Sequence, residues 1–154
     1  MTLHKGKIYK KDSVSIQEPD LELMKDLDKV KDPELNWGKW RNAALTDNKI
    51  YYFGIYEKER LIGAIFLHDI DLNKKESLIG YHLFKPEDRG RGVGTIALQL
   101  LQQYVKEDTS LKKLIIITHE DNVASRAIAT KRGFSCTGSS WEDPHKVVYE
   151  WLRP

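Results

Sequence analysis

The chain has 154 residues, of which 40% are hydrophobic and 31% are charged, and its formal net charge is +2. This balance predicts a single globular domain over residues 1–154, and it provides no concentrated basic face for nucleic acid. The single cysteine, Cys136, excludes an internal disulfide framework and a cysteine zinc site. The N-terminus lacks the apolar core of a signal peptide, and no aliphatic run is long enough to span a bilayer. We therefore expect a cytoplasmic protein.

The first third of the chain predicts one short strand followed by two helices. Residues 1–12 are polar and basic, as in a frayed or edge segment. The second helix carries Trp37 and Trp40, which share a face because they are three residues apart. The two indoles either pack in the core or line an acceptor groove. The predicted elements are a strand at 14–16 and helices at 19–30 and 34–45.

The remainder of the chain alternates strands and helices. A β-rich meander of three strands precedes a long amphipathic helix, and Gly133 is the C-terminal stop of a later helix. This order predicts an α/β fold with a mixed central sheet of about seven strands and helices on both faces. The strand–helix–strand unit from Leu78 to Thr118 should be parallel and right-handed. The predicted strands are 50–56, 61–68, 78–84, 113–118, 134–140 and 146–152, with helices from 93 and over 122–131.

A glycine-rich turn joins the third strand of the meander to the long helix. Residues 89–94 read Arg-Gly-Arg-Gly-Val-Gly, and the helix begins at Val93. Such a turn directs several backbone N–H groups to one point, where the helix dipole adds partial positive charge. A phosphate or pyrophosphate would suit this position, although a plain turn with two solvated arginines fits the same letters. The P-loop and dinucleotide patterns are both absent.

A second segment with polar residues opens the helix after the buried strand. Asn122 and Ser125 are three residues apart, so both can face the same side of its first turn. Asn122 is also a natural N-cap, and Ser125 can bond back to the helix backbone. Each segment alone therefore has a structural and a functional interpretation.

Together the two segments closely resemble the GNAT family of N-acetyltransferases. That family places Gln/Arg-x-x-Gly-x-Gly/Ala at the start of its long central helix, and residues 89–94 match it. Its helix-borne Asn, followed by Gly-Phe, is matched by Asn122, Gly133 and Phe134. Ser125 and the run Ile-Gly-Tyr at 79–81 are most similar to the subset of ribosomal-protein N-terminal acetyltransferases. The resemblance covers about residues 50–140.

The resemblance implies an acyl-CoA N-acyltransferase fold, acetyl-CoA as cosubstrate and a primary amine as acceptor. In such enzymes the central strand splays from its parallel neighbour, and the pantetheine arm lies beside it. Free amides near His82 to Phe84 would then bind the arm and the thioester carbonyl, without any metal. The acceptor would be a protein N-terminus, a polyamine, an aminoglycoside-like antibiotic or another small amine. The implied coenzyme-binding residues are Leu83, Phe84, Arg89, Gly90, Arg91, Gly92, Val93, Gly94, Thr95, Asn122 and Ser125.

The sequence departs from the family pattern at the expected acid and base. Ala129 stands where many members carry the acidic Tyr, so the resemblance assigns that role to Ser125. Leu78 stands where members often carry a basic Glu, which leaves His82 as the candidate base. A water chain is the alternative. The weaker candidates for the base are Glu18, Glu120 and His145.

Other functions and partners stay open at this stage. A non-catalytic acyl-CoA sensor on the same fold is the main alternative, since the Tyr and Glu are missing. A nucleic-acid-binding domain would depend on scattered cations such as Arg126 and Arg132, which an anionic coenzyme also explains. The strand Val147–Trp151 could pair across a homodimer if it forms an open edge. Acidic residues that would attract a cationic amine are Glu18, Asp20, Glu142 and Asp143.

Overall fold

The computed structural model of the protein describes residues 8–17 and 51–154. The described strands form one sheet in the spatial order β1-β2-β3-β4-β5-β6-β8-β7, in which only β5 and β6 run parallel. A 3₁₀ turn, Pro86–Asp88, lies between β5 and the first described helix. The elements are β1 (Ile8–Lys11), β2 (Val14–Gln17), β3 (Tyr51–Glu57), β4 (Arg60–Asp71), β5 (Glu76–Leu83), α1 (Val93–Asp108), β6 (Lys113–His119), α2 (Val123–Lys131), β7 (Ser135–Ser139) and β8 (Lys146–Leu152).

The mixed sheet expected from the sequence is confirmed, with one more strand than predicted. Residues 8–11 form the edge strand β1, which pairs with β2 through a hairpin. Asp12 sits in this hairpin at φ 56°, a left-handed conformation that Asp adopts more readily than most residues. The strands and helices predicted from residue 50 onward all form, with ends shifted by a few residues. The predicted helices at 19–30 and 34–45, with Trp37 and Trp40, lie outside the described residues.

Both described helices pack on the same face of the sheet. A Cβ at Gly94 of α1 would lie 3.2 Å from Ile128 Cδ1 of α2 and 4.0 Å from the Tyr81 ring of β5. Gln102 of α1 exchanges two hydrogen bonds of 2.9 Å with Arg132 at the end of α2. The helices are therefore fixed against each other directly above β5.

The core lies between α1 and the antiparallel half of the sheet. The Tyr104 ring of α1 contacts the rings of Tyr9, Tyr51 and Phe53 at centroid distances of 4.8–6.0 Å. Burial of a leucine or valine side chain contributes about 1.5–3 kcal/mol, so α1 is strongly held. Its fully buried residues are Ala97, Leu98, Leu101 and Val105.

The expected dimer edge at the C-terminus is wrong. Residues 147–151 belong to β8, which pairs with β6 on one side and with β7 on the other. The described sheet ends instead at β1 and at β7, whose five residues are all exposed. Because β8 lies between two strands and residues 147–150 pair on both sides, it is not the open edge that the prediction required.

Candidate active site

The parallel strands β5 and β6 separate partway along their length. Three residue pairs join them, Glu76↔Lys113, Ser77↔Leu114 and Leu78↔Ile115. Beyond Leu78, β5 remains paired with β4 as far as Leu83, while β6 remains paired with β8 as far as His119. The two strands thus border a wedge that opens toward their C-terminal ends, which we call the β5–β6 wedge.

Main-chain groups of β5 point into this wedge. The Phe84 N–H donates to Ile62 O at 2.9 Å, so it faces β4. Because hydrogen-bonding directions alternate along a strand, the main-chain N–H and C=O groups of Tyr81 and Leu83 face the opposite way, toward β6. The amide of Leu83 is therefore suitably placed for a ligand in the wedge. The expectation of a free amide at Phe84 is wrong, because that amide belongs to the β4–β5 ladder.

The predicted glycine turn forms at the open end of β5. Gly90 and Gly92 have φ values of 75° and 80°, and a Cβ at either would meet nothing within 4 Å. Gly92 is the N-cap of α1, and no side chain caps that helix end. The first-turn amides of Val93, Gly94 and Thr95 therefore have no partner within the helix. An unobstructed helix N-terminus of this kind suits a phosphate group.

The side chain of Arg89 is turned back onto β5. Its Nη2 and Nε donate to Leu83 O at 2.9 and 3.3 Å, and Nη2 lies 3.4 Å from His82 Nε2. The guanidinium therefore stabilises the C-terminal end of β5 by bonding the Leu83 carbonyl oxygen, which lies beside the wedge. Its expected role as a direct phosphate ligand has no support in these contacts.

Arg91 belongs to an ionic network that ties the glycine turn to the β3–β4 hairpin. Its Nη1 and Nη2 donate to the two Glu57 carboxylate oxygens at 2.9 and 3.0 Å. Asp88, 3% exposed, accepts from Arg60 at 2.9 Å and from Arg91 at 3.3 Å. The hydrogen bond from Arg91 lowers the Glu57 pKa and raises the pKa of Arg91 itself. We call Glu57, Arg60, Asp88 and Arg91 the hairpin network.

Sequence reasoning missed the hairpin network. Arg60 and Asp88 are 28 positions apart, and Glu57 and Arg91 are 34 apart. Neither pair has a helical or strand spacing that would indicate contact. The Arg91 side chain, assigned to the coenzyme from sequence, is occupied by these carboxylates.

On α2, Asn122 is the N-cap. Its Oδ1 accepts from the Ser125 N–H at 3.1 Å, which confirms the structural interpretation of this residue. That bond uses the amide oxygen, so the NH₂ group of the same exposed side chain can still donate to a pantetheine arm. Capping and coenzyme binding are therefore compatible.

The Ser125 hydroxyl meets a tyrosine from the splayed strand. Tyr81 Oη donates to Ser125 Oγ at 3.0 Å, across 44 residues of sequence. Burial raises the Tyr81 pKa above its usual 10, and the bond with Ser125 opposes this shift only in part. In the sequence, Tyr81 stands out only as part of the Ile-Gly-Tyr run at 79–81. The structure brings it together with the candidate acid.

His82 lies on the other face of the sheet. Successive strand residues point to opposite faces, so His82 faces away from Tyr81 and Ser125, with its ring 6.4 Å from that of Phe84. With Nε2 accepting from Arg89, the proton of a neutral imidazole resides on Nδ1. Arg89 therefore lies beside the ring nitrogen that would accept a substrate proton, and these contacts do not support His82 as the base.

The other base candidates lie elsewhere or outside the described residues. His145 Nδ1 is 3.1 Å from Glu120 Oε1, and this hydrogen bond raises the His145 pKa. The pair joins the end of β6 to the start of β8. Ala129, at the position of the family tyrosine, is fully buried. Glu18 lies outside the described part of the chain.

Residues 8–17 and 51–154 contain no helix long and apolar enough to cross a membrane. The same residues contain no group of three or more His, Cys, Asp or Glu that could hold a metal ion.

A parallel strand pair that opens beside a glycine turn and an uncapped helix N-terminus defines the acyl-CoA N-acyltransferase class. Comparison with known families agrees. The model described as "Acetyltransferase (GNAT) domain" matches residues 14–135, so the chain belongs to the GNAT acetyltransferase family. The family and the fold expected from the sequence are thereby confirmed.

One relative and two solved structures are similar to the chain. YdaF of Bacillus subtilis (strain 168), whose name assigns it provisionally to the ribosomal N-acetyltransferases, is 33% identical over 95 residues. The match covers 62% of this chain and about half, 51%, of YdaF. RimL, titled a ribosomal L7/L12 alpha-N-protein acetyltransferase and solved with coenzyme A, has TM-score 0.80 and 18% identity, over 95% of this chain and 98% of RimL.

The second solved structure holds the acylated coenzyme. The microcin C7 self-immunity acetyltransferase MccE, solved with acetyl-CoA and AMP, has TM-score 0.74 and 21% identity, over 92% of this chain and 93% of that structure. At such identities the two structures establish the fold. Their ligands agree with the cosubstrate expected from the sequence, acetyl-CoA.

Proposed function

We propose that the protein transfers the acetyl group of acetyl-CoA to the α-amino group of a protein N-terminus. The observation that carries this proposal is the β5–β6 wedge, because it combines the Leu83 amide, the glycine turn and the Ser125 hydroxyl along one opening. The proposal also takes residues 1–154 as one acetyltransferase domain.

The described residues fit the coenzyme. Gly90 and Gly92 leave an open cradle at the N-terminus of α1, where the amides of residues 90–95 would hold the pyrophosphate. The Asn122 NH₂ group and the Leu83 amide would hold the pantetheine arm beside β5. Arg89 contributes positive charge nearby while its guanidinium bonds to the end of β5, whereas the charge of Arg91 is matched by Glu57 and its guanidinium secures the turn.

The chemistry needs no nucleophile from the enzyme. Acetyl-CoA supplies an activated thioester, which a neutral amine can attack directly. The Leu83 N–H would stabilise the charge that develops on the carbonyl oxygen, and loss of one such donor can cost about 3 kcal/mol. Ser125 would donate to the departing sulfur. Water would accept the proton of the amine, since His82 is engaged by Arg89.

The choice of a protein N-terminus follows the named relatives. YdaF and RimL carry names that refer to ribosomal proteins, and Ser125 stands at the position that the sequence shares with that subset. A small amine is the competing acceptor.

The test uses the purified full chain with acetyl-CoA and three sets of acceptors. These are peptides with a free N-terminus, the same peptides blocked at the N-terminus but containing lysine, and spermidine. Acetylated products are identified by mass spectrometry. Released coenzyme A is measured by chromatography rather than with a thiol reagent, because the exposed Cys136 would react as well.

We expect acetylation of the unblocked peptides alone. Acetylation of spermidine with refusal of all peptides would overturn the acceptor and retain the acetyltransferase. Binding of acetyl-CoA by calorimetry with no acetylated product in any set would instead support the non-catalytic sensor.

A further inference from the structure

We infer that Tyr81 is a positioning residue for the reaction, which holds the Ser125 hydroxyl so that its hydrogen points into the β5–β6 wedge. The inference rests on the proposed function and assigns a role that the acetyltransferase family membership does not itself specify. It is carried by the contact between a strand residue and a helix residue at the point where the strands separate.

The geometry places the tyrosine at the junction of three elements. Tyr81 lies on the part of β5 that no longer pairs with β6. Its ring reaches the first turn of α1 at Gly94, and its Oη lies 3.0 Å from Ser125 Oγ in the first turn of α2. The phenol is therefore confined by packing, and the position of its hydroxyl group is well defined.

The hydrogen-bonding capacity of the two hydroxyls explains the effect. A serine hydroxyl has one hydrogen to donate and two lone pairs to accept. Since Tyr81 donates to Ser125 Oγ, the Ser125 hydrogen is directed to a different acceptor. Ser125 is the third residue of α2, so the carbonyl four residues earlier, to which a helical serine commonly gives this hydrogen, precedes the helix. The bond from Tyr81 orients the Ser125 side chain toward β5, and it polarises the Ser125 O–H as a donor.

Burial keeps the tyrosine in its donating form. The raised Tyr81 pKa means that the phenol stays protonated at the mildly alkaline pH at which amine acceptors become neutral. Tyr81 can therefore direct the Ser125 hydroxyl throughout the pH range in which the reaction runs.

The reaction balances with this arrangement. The amine nitrogen forms a bond to the acetyl carbon, the C–S bond breaks, and its electron pair goes to sulfur. The Ser125 O–H donates a hydrogen bond to that sulfur as negative charge develops. The nitrogen loses one proton to water and the thiolate takes one from water, so both hydroxyls end unchanged.

The test is a double-mutant cycle of Tyr81→Phe and Ser125→Ala, with Tyr149→Phe as the matched control. Tyr149 is also a tyrosine whose hydroxyl bonds to α2, where it accepts from Arg126 at 3.0 Å. For Tyr81→Phe we expect kcat to fall about tenfold, with KM for acetyl-CoA within about twofold of the parent value. The double variant should be no slower than Ser125→Ala, because the two hydroxyls act as one unit. Tyr149→Phe should keep the parent kcat.

Several results would overturn the inference while leaving the proposed function intact. These are a parent-like kcat for Tyr81→Phe, losses that multiply in the double variant, or an equal loss in Tyr149→Phe. A Tyr81→Phe protein that unfolds at the assay temperature would also count against it, since the hydroxyl would then serve folding. Failure of the proposed function is distinct, because the parent protein would then acetylate no amine.

Discussion

The two edges of β5 differ in how far they are paired. Along the edge facing β4, the ladder runs from Asp71↔Glu76 to Gly63↔Leu83. Along the edge facing β6, pairing stops at Leu78↔Ile115. One strand is thus a structural support on one side and a ligand-facing surface on the other.

This difference shows how a regular sheet can present reactive main-chain groups without losing rigidity. The paired edge holds β5 in place, so the groups of Tyr81 and Leu83 on the other edge stay aligned although they have no partner strand. Arg89 adds to this by bonding Leu83 O. Four substitutions test whether the two edges have these separate roles.

The largest effect is expected at the paired edge with Gly63→Ala. A Cβ at Gly63 would lie 2.4 Å from His82 O and 3.2 Å from Leu83 Cα, and backbone cannot give way as a side chain can. We expect a loss of about 3 kcal/mol in unfolding free energy, measured with urea, and reduced turnover because Leu83 moves. Gly54→Ala is the control, since the atoms nearest to its Cβ would be side-chain atoms of Tyr56 and Leu61 rather than backbone. Equal losses in both variants would contradict the argument.

A smaller effect is expected where the hairpin network holds the glycine turn. Asp88→Asn removes a buried negative charge between two guanidiniums that are themselves about half exposed. We expect about 1–2 kcal/mol of destabilisation and a rise of about fivefold in KM for acetyl-CoA, because the turn loosens. Glu107→Gln, at the other end of α1, should change neither value. An unchanged KM in Asp88→Asn would separate the network from coenzyme binding.

The open edge is tested by comparing two glycines with similar backbone conformations. Gly92 and Gly133 have φ values of 80° and 85°, so alanine should cost each about 1 kcal/mol of stability. Only Gly92→Ala puts a methyl group into the proposed phosphate cradle, and we expect its KM for acetyl-CoA to rise about tenfold. Gly133→Ala, at the end of α2, should keep the parent KM. Similar KM values in the two variants would argue against a cradle at Gly92.

The smallest expected effect is a pH dependence of thermal stability at the hydrogen bond between Glu120 and His145, on the far side of the wedge. The hydrogen bond with Glu120 raises the His145 pKa above 6.5. The stability that this bond contributes to the folded state is therefore fully present below about pH 6.5, and it is lost as pH rises through the folded-state pKa. The parent should therefore melt slightly above Glu120→Gln at about pH 6, with the gap closing at about pH 8.5. A gap that is the same at both pH values would mean that His145 is not the titrating group.

Much of the fold and part of the site could be predicted locally. The three-residue spacing of Asn122 and Ser125 and the glycines of residues 89–94 are patterns within one turn, and both form where predicted. The hydrogen bond of the Phe84 amide to β4, the ion pair of Arg91 with Glu57 and the pairing of β8 with β7 were not predicted. Each depends on which distant segment lies alongside, and neither periodicity nor motif spacing contains that information.

The periodic strands and helices, the glycine turn before α1 and the family are predictable from the sequence, because they depend on local stereochemistry, apolar spacing and short motifs, which neighbouring residues set. Three features became visible only in the folded chain: which edge of β5 opens, the contacts of Arg89 and Arg91 with the protein, and the bond between Tyr81 and Ser125. Such contacts join residues up to 44 positions apart, and they form only when packing of α1 and α2 over the sheet brings those positions together.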